Sequence, residues 1–361
     1  MRVKLKELRE GCILSEDVMS LTNRPIIPDK TVLTDELIEI LNAFLISDVK
    51  VHKTLVNGMA FIPAEVVEEK AKKEVKETEK QETLSESFLE AVRDYKKEFS
   101  AWQAGLPLDI TKIRAIILPL IEKFDRNIGE LFSLHHLSTE KEYLFQHSIA
   151  VGLLSAFIGK KLNYQKGDIV QLALAGCLAD CGMAKIPSHL LNKSGALTSA
   201  EFEEIKNHPT YSYKMVQGSP LLRDASKIGV FQHHERLDGS GYPLGEKSEK
   251  IHSFAKIIAV ADIFHAMTSA RLYRKKQSPF KVLEMIIQDN FGKFDIPAIK
   301  ALQSGIMNCS IGSKVRLSDG QIAEILFIEE KSPTRPLVKI LKSEEIIHLE
   351  KNRDIFIEEI I

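Results

Sequence analysis

The sequence predicts a mainly α-helical chain, with a central helical bundle flanked by a small N-terminal α+β domain and a small C-terminal β module. Three observations carry this. Apolar residues recur at helical spacing through the middle of the 361 residues. After Ser310 the pattern changes to short alternating runs, and before residue 65 short apolar runs mix with one capped helix. Hydrophobic residues make up 44% and charged residues 27%, a globular balance with ample core material.

Residues 1–65 hold short apolar segments, Cys12-Ile13-Leu14 and Pro25-Ile26-Ile27-Pro28, between turn residues. Thr34 caps an expected helix on whose apolar face lie Leu37, Ile38, Ile40, Leu41 and Phe44, and Asp48 to His52 alternates like a strand. Residues 66–100 are read as a charged linker or solvated helix, because Glu and Lys dominate their first half. Residues 101–309 are the helical domain, with periodic runs at Ile113 to Ile128, Tyr143 to Leu162, Asp168 to Leu178 and Phe254 to Met267. Residues 310–361 are the β module. There Asp319-Gly320 marks a hairpin between Lys314 to Leu317 and Gln321 to Leu326, and Leu337 to Leu341 is a further strand.

A net charge of -1 supplies no global field to recruit a nucleic-acid polymer or an anionic membrane. The opening Met1-Arg2-Val3-Lys4-Leu5-Lys6-Glu7 is too polar for a signal peptide, and no uninterrupted apolar stretch reaches the ~20 residues that span a bilayer. The expected location is the cytoplasm, without membrane insertion. Cys177 and Cys181, four apart in an apolar run, read as packed thiols.

The helical region carries His147, Asp180, His208, His233, His234 and Asp262 on separate segments. One such group is a hydrogen-bonded core residue. A set of them on consecutive apolar helices, where unpaired polar groups are costly, points instead to a metal site. Imidazole and carboxylate without thiolate suit a divalent ion, iron or manganese before structural zinc, and one or two ions are expected. The chemistry such a centre favours is phosphoester hydrolysis.

The run His233-His234-Glu235-Arg236-Leu237-Asp238-Gly239-Ser240-Gly241-Tyr242-Pro243 resembles the HHE-x-x-DGSGYP signature of the HD-GYP family. Asn192 to Thr198 is similar to the family's NKPGKLT, and Ala259 to Phe264 and Thr268 to Arg274 resemble its AVAD-x-F and TS-x-R-x-YR segments. The matches run in family order over roughly residues 140 to 300. The resemblance implies an HD-type bundle that hydrolyses cyclic-di-GMP to pGpG or GMP. It makes Asp180 the bridging, catalytic aspartate, places His208, His233 and His234 with it on one metal, and His147 and Asp262 with it on another. It assigns Gly241, Tyr242 and Pro243 to the substrate side, and Arg271 and Arg274 to phosphate or guanine, as suits guanidinium.

The chain departs from the family mainly at one motif. HDIGK aligns with Ala179-Asp180-Cys181-Gly182-Met183, so the histidine is Ala179 and the lysine is Met183. His265 stands where an aspartate is common, and Tyr143 where some relatives have a glutamate. Two readings follow: a phosphodiesterase of impaired activity, or a non-catalytic module that binds cyclic-di-GMP or a signalling protein. Pairing into a homodimer is a further expectation from the resemblance.

Overall fold

The computed structural model describes residues 1–19, 25–66, 83–125, 128–193, 195–269, 277–288, 292–307, 311–329 and 331–360. The N-terminal unit contains β1 (Arg2–Lys4), β2 (Val18–Met19), β3 (Pro25–Ile27), α1 (Asp35–Ala43) and β4 (Asp48–Lys50). Thr34 caps α1 as expected, its hydroxyl accepting from the Leu37 amide at 3.3 Å. β1 and β4 pair antiparallel with Val3 opposite Val49, and β2 pairs with β3. Val3, Leu14, Leu33, Leu41 and Val51 close a core of their own.

Residues 67–82 of the charged stretch lie outside the described residues. From Leu84 the chain is a bundle helix, α2 (Leu84–Gln103), begun by a reciprocal capping box between Thr83 and Glu86. Phe88, Val92, Tyr95, Phe99 and Trp102 form its buried stripe, so this helix belongs to the core and is no solvated spacer. α3 (Ile110–Phe124) follows Asp109 as cap, and α4 (Ile128–Ser133) starts anew, so the run expected from Ile113 to Ile128 is one helix to Phe124 and the start of a second.

α5 (Tyr143–Lys161) and α6 (Lys166–Leu178) are the centre of the bundle. Gly152 and Gly176 set their approach: a Cβ on either would lie 2.8 Å from a carbonyl of the other helix. The stretch Lys166–Lys185 is apolar enough to span a membrane by length and composition, but 72% of its most apolar window is buried inside the bundle. Then come α7 (Ser188–Leu191), α8 (Ser199–Ile205), α9 (His208–Val216), α10 (Asp224–Gln232), α11 (Ser253–Thr268), α12 (Pro279–Gln288) and α13 (Ile296–Ile306).

The C-terminal strands β5 (Lys314–Leu317), β6 (Ile322–Phe327), β7 (Leu337–Ile340), β8 (Ile346–His348) and β9 (Ile357–Ile360) form one antiparallel sheet in the order β8-β7-β6-β5-β9. Gly320 takes φ +81° in the Asp319-Gly320 turn. The inner face of the sheet, with Val315, Ala323, Ile325 and Val338, is continuous with the helical core. A buried bidentate pair fastens it: Arg335 donates to both Glu284 oxygens on α12, at 2.6 and 2.7 Å.

Candidate metal centre

Five helices deliver the predicted ligands to one place. His147 lies on α5, and Asp180 follows the end of α6. His208 opens α9, His233 and His234 follow α10, and Asp262 lies on α11. All but His234 are buried. Ligand atoms of Asp180, His208, His233 and His234 fall within 4.8 Å of one another.

Main-chain carbonyls fix the two deepest imidazoles. Nδ1 of His208 lies 2.8 Å from the Ile205 carbonyl, and Nδ1 of His233 lies 2.7 Å from that of Val230. A carbonyl only accepts, so each Nδ1 carries a proton and each ring turns its Nε2 inward. These two Nε2 atoms face each other at 3.3 Å, and Asp180 Oδ1 stands 3.1 and 3.4 Å from them. Oδ1 is itself buried. Two imidazole nitrogens and a carboxylate oxygen that converge in this way are a donor set that fits a divalent ion.

The electrostatics agree. Burial works against the Asp180 charge, but the adjoining imidazoles of His208 and His233 hold its carboxyl well below the usual carboxylate range. Burial and then the neighbouring His233 push His234 well below the ordinary imidazole value, so it stays neutral with a lone pair to offer.

His147 is placed differently. Its Nε2 sits 3.0 Å from Asp262 Oδ1 and 3.5 Å from Asp180 Oδ2. Its Nδ1 faces His265 Nδ1 at 3.0 Å and the Tyr143 hydroxyl at 3.2 Å, with the Tyr143 ring stacked on the imidazole. Ala179 presents only a methyl group. Its carbonyl accepts from the Ser212 hydroxyl at 2.7 Å, and that hydroxyl accepts from the Gly182 amide at 2.7 Å.

The Gly-Tyr-Pro loop stands against the ligands. Tyr242 lies with its ring centre 4.7 Å from that of His234, and its amide donates to the His234 carbonyl at 3.2 Å. Gly241 is required there, since a Cβ would sit 2.4 Å from both the Arg236 nitrogen and the His234 carbonyl oxygen. Burial, then the carboxylates of Asp262 and Asp180, raise the Tyr242 phenol, which therefore remains a neutral donor. Pro243 follows in a cis peptide. Arg271 and Arg274 lie outside the described residues.

Sequence reasoning passed over three residues. Glu235, buried, clasps the loop by accepting from the amides of Leu244 at 2.7 Å and Glu246 at 3.0 Å. Its signal was present: an acid beside two ligand histidines, ahead of a glycine-rich turn with amides to satisfy. Ser212 and Gly182, which join the Asp180 loop to α9, carried no comparable signal.

Fold and site thus define a helical-bundle protein with a histidine–aspartate centre able to hold a divalent ion. Residues 134–296 match the family described as HD domain, and the Gly-Tyr-Pro loop lies within that stretch. The chain is 33% identical over 222 residues to the cyclic di-GMP phosphodiesterase PA4108 of Pseudomonas aeruginosa, spanning 60% of this chain and 52% of that one. It is 32% identical over 206 residues to the cyclic di-GMP phosphodiesterase PdeB of Borreliella burgdorferi, spanning 57% and 54%. The chain therefore spans about half the length of these curated relatives. Among solved structures, Bd1817, an HDG"Y"P protein from Bdellovibrio bacteriovorus, matches with a TM-score of 0.51 at 13% identity over 84% of this chain and 98% of that one, which bears on the fold alone.

Proposed function

We propose that this protein is a metal-dependent phosphodiesterase acting in the cytoplasm on cyclic-di-GMP, with iron or manganese as its ion and pGpG or GMP as product. The observation that carries the reading is the convergence of the His208 and His233 Nε2 atoms on Asp180 beneath the Gly-Tyr-Pro loop. The curated relatives, named cyclic di-GMP phosphodiesterases, favour the same substrate class.

Asp180, His208, His233 and His234 would hold the ion, which when bound supplies positive charge to a phosphoryl oxygen and lowers the pKa of water. The protein's own groups do the rest. Tyr242, neutral and beside His234, offers a phenolic donor and a ring face to a nucleotide. Glu235 holds the loop at that distance through two amides. Lys206, with its Nζ 5.8 Å from the centre of the Tyr242 ring, brings a cation near the mouth, where Met183 brings none.

Ala179 and Met183 favour a second reading, a module that binds cyclic-di-GMP without cleaving it. Turnover by anaerobically purified protein resupplied with Mn²⁺ or Fe²⁺ separates the two. Product that disappears in the His233→Ala variant supports the enzyme. Saturable binding of intact cyclic-di-GMP with no product refutes it and leaves the binding module.

A further inference from the structure

We propose that Phe202 and Lys206 form a second subsite at the mouth of the centre. It takes the half of a cyclic dinucleotide that lies away from the ion, with a guanine face on the Phe202 ring and the far phosphate on the Lys206 ammonium. The proposal rests on the cyclic-di-GMP reading above and deepens it.

α8 is the element that carries both residues. It buries none of its seven residues, so it adds little to the core, and a helix this short does not hold itself together in water. It is fixed from its ends instead. Thr198 and Glu201 close a reciprocal capping box, and Lys193 donates to Glu201 at 2.6 Å. At the other end Lys206 and Asn207 alone separate α8 from His208, the first residue of α9. The helix is thereby placed against the candidate ligands without serving the core.

On it Phe202 leaves 46% of its surface exposed. Lys206, one turn on, sets its Nζ 4.9 Å from the centre of the Phe202 ring and 5.8 Å from that of Tyr242. The Tyr242 ring lies 4.7 Å from that of His234 and 6.3 Å from that of His208, centre to centre. Phe202, Lys206 and Tyr242 therefore form a row that leads from solvent to the candidate ligands.

A cyclic dinucleotide carries two phosphates, and an ion at the centre meets one of them. The other needs a cation from the protein. Arg236, also beside Tyr242, is already committed: its Nη1 donates to the His233 and Glu235 carbonyls at 3.2 and 2.9 Å, and its guanidinium lies 4.6 Å from the Phe294 ring centre. Lys206 is held more lightly. Its ion pair is with Glu203, three residues earlier, at 2.7 Å, and that carboxylate is exposed. An exposed pair of this kind adds little stability, so a phosphate can take the place of the carboxylate. The open Phe202 ring then offers a stacking face to the attached base.

The test separates the nucleotide from the ion. Full-length protein loaded with Mn²⁺ is titrated in a calorimeter with a phosphorothioate analogue of cyclic-di-GMP that resists cleavage. Phe202→Ala should weaken binding about five- to hundredfold, the worth of one base stacked on an aromatic ring, and Phe202→Trp should restore it. Lys206→Met should weaken it about tenfold, and the affinity that remains should fall less with added salt. Mn²⁺ affinity should stay parental in all three variants, since neither position is a candidate ligand or part of the core. A helix-surface pair with no part in binding would leave nucleotide affinity unchanged. Parental affinity in Phe202→Ala or in Lys206→Met therefore overturns the subsite and leaves the cyclic-di-GMP reading standing. Nucleotide and Mn²⁺ binding lost together also overturns it, because damage to the fold gives that result. A parent protein that binds Mn²⁺ but not the analogue overturns both the subsite and the reading beneath it.

Discussion

Replacing Gly182 by alanine should damage the fold and the centre together. The Cβ it adds would lie 2.2 Å from the His208 carbonyl oxygen, 2.4 Å from the Ser212 nitrogen and 2.7 Å from the Ser212 hydroxyl. The two nearest atoms are backbone atoms of α9, so no side chain can swing aside. The segment carrying Asp180 must separate from the helix carrying His208. Overpacking of this kind costs ~1–3 kcal/mol, and loss of the Gly182 amide bond to Ser212 costs ~0.5–1.5 kcal/mol more. Together these amount to about 1.5–4.5 kcal/mol. Trp102 reports on it, as the chain's one tryptophan, fully buried, with its carbonyl bonded by Lys185 at 2.9 Å. At a slope of ~2 kcal/mol/M the fluorescence midpoint in urea should fall by about 1–2 M. Mn²⁺ affinity should fall as well, because Asp180 and His208 now stand 3.1 Å apart across that contact. An alanine variant that unfolds at the parental midpoint and binds Mn²⁺ at parental affinity would refute the reasoning.

Three other expectations follow from named contacts. Glu235→Ala removes the acceptor for the Leu244 and Glu246 amides and should weaken cyclic-di-GMP binding while Mn²⁺ stoichiometry holds; unchanged nucleotide affinity in calorimetry would count against the clasp. Arg335→Ala leaves Glu284 charged in the interface with the β sheet with only Lys281, 4.0 Å away, to face it, a loss of ~3–5 kcal/mol by urea unfolding, whereas Arg335→Met with Glu284→Leu should recover most of it. Glu201, bonded first by Lys193 and then by the Thr198 amide, is held down to about 2 from an ordinary 4.5. A lowered folded-state value means that its contribution is complete above pH 4.5 and is lost as the pH falls through about 2; a carboxyl titration by NMR with its midpoint near 4.5 would contradict this.

What the sequence disclosed depended on whether the signal was local. α1, α5, α6 and α11 follow from apolar periodicity and caps, and the β5–β6 hairpin from Asp319-Gly320, because each is written within one window. α2 was obscured by composition. Its stripe of Phe88, Val92, Tyr95, Phe99 and Trp102 has helical spacing, but it directly follows the Glu- and Lys-rich stretch and is laced with charge on its other face. The pairing of β1 with β4, and of β9 with β5, joins segments about forty residues or more apart, and no local pattern announces it. The candidate ligands were legible as residue types in order, whereas their orientation was not. That depends on the carbonyls of Ile205 and Val230 and on the meeting of α5 with α11 at His147 and His265.

The same distinction explains how one half of the centre can stay intact when position 179 is alanine. Were the Asp180 segment held by the side chain at 179, its loss would release Asp180 as well. Instead the segment is held through its backbone: the Ala179 carbonyl and the Gly182 amide both bond the Ser212 hydroxyl, which α9 carries from the same helix as His208. Any residue at 179 provides that carbonyl, so Asp180 keeps its position relative to His208 whatever side chain precedes it. The carbonyls that orient His208 and His233 are equally indifferent to side-chain change. On the other side, orientation of His147 depends on side chains, Tyr143, Asp262 and His265, and each can be altered by one substitution. A candidate centre oriented half by main chain and half by side chains is more open to single substitutions on the side-chain half, which is where His265 and Tyr143 stand.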